Sequence, residues 1–71
     1  MELLDIAEAS IRFAQREEEL CRFTVMAAHI DLQEAETLGS KIEIRSAKRT
    51  LLAAHRQHKA AANKLAFELR N

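Results

Sequence analysis

The sequence predicts an all-α protein folded as one antiparallel helical hairpin with a coiled-coil-like seam of small residues. Three observations carry that prediction. Proline is absent, the single glycine lies near mid-chain at Gly39, and apolar residues repeat at heptad spacing on both sides of it. A composition rich in Ala, Leu, Glu, Lys, Arg and Gln suits long uninterrupted helices. Strand-rich folds need turns every few residues and more β-branched side chains, and neither appears.

The first helix is predicted over about residues 2 to 38. Its heptad places Leu4, Ile11, Glu18, Val25 and Leu32 at a, and Ala7, Ala14, Cys21, Ala28 and Ala35 at d. Gly39 is the natural helix-ending residue, because only glycine takes a left-handed backbone cheaply. Ser40-Lys41-Ile42-Glu43 then matches a capping box, which starts a second helix over about residues 41 to 70. That helix repeats the device, with Ile44, Leu51, His58 and Leu65 at a, and Ala47, Ala54, Ala61 and Glu68 at d. Alanine at successive d positions lets antiparallel backbones approach toward the short end of the usual 8 to 10 Å range.

Antiparallel coils set a against d, so a turn centred between Gly39 and Ser40 fixes a register. Leu32 faces Ala47, Ala28 faces Leu51, Val25 faces Ala54, Cys21 faces His58 and Ala14 faces Leu65. The same register pairs Glu17 with Lys64. It also sets His29 beside Lys48 and His55 beside Arg22, where protonation would add like-charge repulsion.

The first helix carries a second apolar seam, formed by Ile6, Ala9, Phe13, Leu20, Phe23, Ala27 and Ile30 and interrupted by Arg16. A helix apolar on two faces must be covered on both, and one partner helix covers only one. The alanine match favours the a/d seam for the intrachain contact, and sequence leaves that choice open. The remaining seam is expected to bind a second copy, most simply as a twofold four-helix bundle, or a partner protein's helix. The residues assigned to that interface are Ile6, Phe13, Leu20, Phe23, Ala27 and Ile30.

Net charge is zero but divided. Residues 1 to 38 hold nine acids against three arginines, and the second helix holds eight bases against Glu43 and Glu68. Opposite charges on the two helices favour the hairpin's own pairing. A nucleic-acid reading uses Arg45, Lys48, Arg49, Arg56 and Lys59 as a basic ridge able to meet phosphates. No base-stacking aromatic lies among them.

Seventy-one residues make a single small domain with too little core to dispense with outside support, and one cysteine, Cys21, closes no loop within the chain. An unpaired cysteine suits a reducing compartment, so a cytoplasmic location is expected. Acids at Glu2 and Asp5 argue against an export signal, and the apolar stretch from Phe23 to Ile30 is far short of the roughly 20 residues a membrane span needs. Cys21 facing His58 invites a nucleophile or metal reading, but an alanine-lined seam offers no substrate volume. His58 with His55 or Glu18 offers a zinc reading, but separate helical layers seldom supply tetrahedral geometry. His58 is expected instead to form a register-fixing polar layer. No cofactor, metal site or catalytic residue is expected, and the protein is read as a non-enzyme.

In architecture the chain resembles the Rop family of plasmid copy-number regulators, and also the small hairpin co-chaperones of type III secretion needle subunits. The first resemblance implies a dimer with alternating small and large core residues. The second implies an apolar helix face that holds a partner. The expected function is therefore a non-catalytic adaptor, regulator or chaperone-like interaction module, with a nucleic-acid-binding regulator as the alternative.

Overall fold

The structure, a computed structural model, describes residues 3–70, with side-chain surroundings from residue 6 onward. The expected helix start at residue 2 and the surroundings of Leu4 lie outside the described residues. Helix α1 runs Leu3–Leu38 and helix α2 runs Lys41–Arg70, and the two pack against each other along their length. At 1.5 Å per residue α1 is about 54 Å long. That matches the 56 Å long dimension of the molecule, whose other two extents are 14 and 13 Å.

The reversal depends on one backbone conformation. Gly39 has φ 73°, and its N–H donates to the carbonyls of Ala35 at 3.0 Å and Glu36 at 3.2 Å, satisfying the end of α1. Ser40 begins α2: its carbonyl accepts from the Ile44 N–H at 2.9 Å, and its Oγ accepts from the Glu43 N–H at 3.4 Å. The serine's half of the capping box is thus formed at long range. Among the described residues the reciprocal bond, from the Ser40 N–H to the Glu43 carboxylate, is not formed.

Among the described residues the five buried ones are all alanines, Ala14, Ala28 and Ala35 on α1 and Ala54 and Ala61 on α2, and each is a d position. The larger a residues Ile11, Val25, Leu32, Ile44, Leu51 and Leu65 are half-buried, because close backbones wrap the small residue and leave the large one lying across the seam's edge. The a/d seam is therefore the intrachain contact, which sequence alone left open. Ala7 departs from the pattern and is exposed, since its layer falls past Arg70, where α2 ends.

Such a core covers little. A compact protein of 8.1 kDa exposes about 4,500 Å², whereas this chain exposes 5959 Å². Its radius of gyration is 16.5 Å, against about 11 Å for a compact domain of this length.

Candidate interaction surface

Ile6, Phe13, Leu20, Phe23, Ala27 and Ile30 lie on one face of α1, roughly 140° around the helix from the seam that meets α2. All six are exposed, with the five large side chains between 49% and 60% accessible. Met26 at 54% widens the patch on its edge. Its heptad position belongs to neither seam, so periodicity passed over it. Phe13 is flanked by α2: Lys64 Nζ lies 5.2 Å from the ring centroid and also donates to Glu17 Oε2 at 3.2 Å. The Glu17–Lys64 pair predicted from register is thus present.

The basic ridge is also exposed. Arg45, Lys48, Arg49, Arg56 and Lys59 are exposed, with Lys48 flanking the seam and the other four turned away from α1, and none has an ion pair among the described residues. Leu52, 52% exposed, lies among them and supplies no stacking surface.

A polar layer interrupts the a/d seam, and its partners differ from the predicted ones. His58 Nε2 lies 2.9 Å from Glu18 Oε1, and the Arg22 guanidinium grips the same carboxylate at 2.6 and 2.8 Å. The layer pairing set Cys21, not Glu18, opposite His58. A long carboxylate one turn away reaches the imidazole more readily than a short thiol, which leaves Cys21 as a half-buried packing residue. The Glu18 carboxyl is held below its ordinary value of 4.5, first by the Arg22 hydrogen bond and then by His58, with burial opposing. Arg22 is raised in turn by Glu18. The register also set His55 beside Arg22 and His29 beside Lys48. Arg22 turns to its own helix, and the His29 and His55 rings meet edge to face at 5.6 Å.

Open grooves run along the helices, such as those lined by Ala9, Phe13 and Arg16 and by Ile30, Glu34 and Leu38. No group of three or more His, Cys, Asp or Glu among the described residues is arranged to hold a metal ion. Nor is any helix among them long and apolar enough to cross a membrane.

No family model, curated protein or solved structure matches the chain. The two architectural resemblances thus have no family match behind them, and function has to follow from the surfaces themselves.

Proposed function

We propose that the chain is a non-catalytic interaction module, a small adaptor, regulator or chaperone-like protein of the cytoplasm. It associates through the outer apolar face of α1, first with a second copy to form a four-helix dimer, and through the same kind of contact with a partner helix. One observation carries this reading. Ile6, Phe13, Leu20, Phe23 and Ile30 line up, each between 49% and 60% exposed, on a helix whose opposite face is already used. Covering each fully would contribute about 1.5 to 3 kcal/mol, which a thin alanine core cannot readily forgo. Scattered apolar residues would need no explanation, but a contiguous stripe along one helix does.

The test is molar mass in solution for the wild type and Phe23→Asp. The wild type is expected at twice the chain mass and the variant at the chain mass, with helical circular dichroism retained in both. A wild-type monomer across micromolar concentrations would refute self-association.

Arg45, Lys48, Arg49, Arg56 and Lys59, exposed and without an ion pair among the described residues, favour one further reading, a nucleic-acid-binding regulator. Its discriminating result is salt-sensitive RNA or DNA binding that disappears when Arg45, Arg49 and Arg56 are changed together to alanine.

A further inference from the structure

We infer that the α1 face is covered by the α1 of a second copy running antiparallel, with Arg16 of each copy paired to Asp31 of the other. This rests on the self-association proposed above and adds its orientation, register and polar contact.

The face is matched about its own midpoint. With two α1 helices antiparallel and the twofold axis between residues 21 and 22, Leu20 lies opposite Phe23 and Phe13 opposite Ile30. Arg16, the one charge within the apolar run, lies opposite Ala27, and Glu34 lies opposite Ala9. Leu20, Phe23, Phe13 and Ile30 thus meet large apolar residues, Arg16 and Glu34 meet small ones, and Ile6, at the end of the stripe, meets Thr37. Self-complementarity of this kind is what an isologous twofold contact requires, since the same patch serves both subunits. A foreign helix would impose no such match. The grooves beside Ala9 and beside Ile30 lie on either side of the midpoint, so the axis brings one over the other.

Charge fixes the direction. A parallel arrangement would set Arg16 on Arg16, Asp31 on Asp31 and Glu34 on Glu34, all unfavourable. Antiparallel, the small Ala27 gives the Arg16 stem room to lie on apolar surface while its guanidinium reaches the edge. Asp31 of the second copy lies one turn beyond Ala27. Helical side chains lean toward their own N-terminus, so across antiparallel helices these two lean toward each other. The Glu17–Lys64 bond at 3.2 Å spans antiparallel helices in the same sense within the hairpin. Arg16 and Asp31 are both exposed and without an ion pair among the described residues. Two of the three acids near the axis, Glu17 and Glu18, are already held by Lys64, Arg22 and His58, which lessens repulsion between the two α1 helices.

The experiment is a charge exchange read by sedimentation equilibrium, with circular dichroism confirming folding. Arg16→Asp and Asp31→Arg are each expected to weaken the dimer by about tenfold or more, and the double exchange to restore it. The two positions lie about 22 Å apart along one helix, so rescue can arise only between chains. Spin labels at Glu36→Cys in a Cys21→Ser background report direction: about 45 Å between copies when antiparallel, and under about 25 Å when parallel. A dimer that Phe23→Asp dissociates, but with the short distance or no rescue, overturns this inference and leaves self-association standing. A wild-type monomer overturns both.

Discussion

Ala54→Leu tests the close approach of the two helices. Ala54 is 4% exposed at a d position, in the layer that the register assigns to Val25. Two effects compete when leucine's extra carbons enter. If the helices stood far apart, burying a leucine would stabilise by about 1.5 to 3 kcal/mol. If they are as close as an alanine-only core implies, overpacking costs about 1 to 3 kcal/mol. Among the described residues no buried side chain is larger than alanine, so the second effect should win. For a chain of this size each kcal/mol moves Tm by about 4 to 8 °C, giving an expected fall of about 4 to 24 °C. Ala60→Leu, at an exposed position of the same helix, should change stability by no more than about 0.5 kcal/mol. Thermal melts at one matched protein concentration separate the outcomes, because dimerisation also raises Tm. A higher Tm for Ala54→Leu would mean that the a/d seam is loosely packed, and the small-residue argument would fail.

Two further outcomes test the turn and the polar layer. Gly39→Ala should lose about 1 to 2 kcal/mol in urea titration, because φ is 73° and an added Cβ meets no atom within 4 Å, so the loss is backbone strain without a clash. Gly39→Asn should lose less, and equal stability of all three would refute the left-handed cap. Glu18 is depressed in the folded state, so its contribution is present above pH 4.5 and disappears as pH falls through the folded value. Between about pH 6 and about pH 3 the wild-type Tm should therefore fall further than that of Glu18→Gln, and parallel declines would count against the Arg22 and His58 contacts.

The hairpin was legible because its determinants are local. One glycine, a serine cap and an unbroken helical composition place the reversal without knowledge of any distant contact. The Glu17–Lys64 pair was legible too, since a register once set places flanking residues within reach. The apolar stripe of α1 could be read from spacing, apart from Met26, which lies between the two seams. The Glu18–Arg22–His58 cluster could not be read in full. Layer counting assigns backbone neighbours, whereas side-chain length and rotamer decide which carboxylate or thiol meets an imidazole.

By itself the sequence determined two long amphipathic helices, the point where they reverse, and the presence of two apolar stripes on the first. Periodicity measures only the angle between stripes, and the alanine match favoured one of them without deciding between the two. Tertiary packing decided that the alanine-bearing stripe faces α2, because small side chains let the backbones close. The same packing left the phenylalanine-bearing stripe uncovered, because a single neighbouring helix occupies one side of α1.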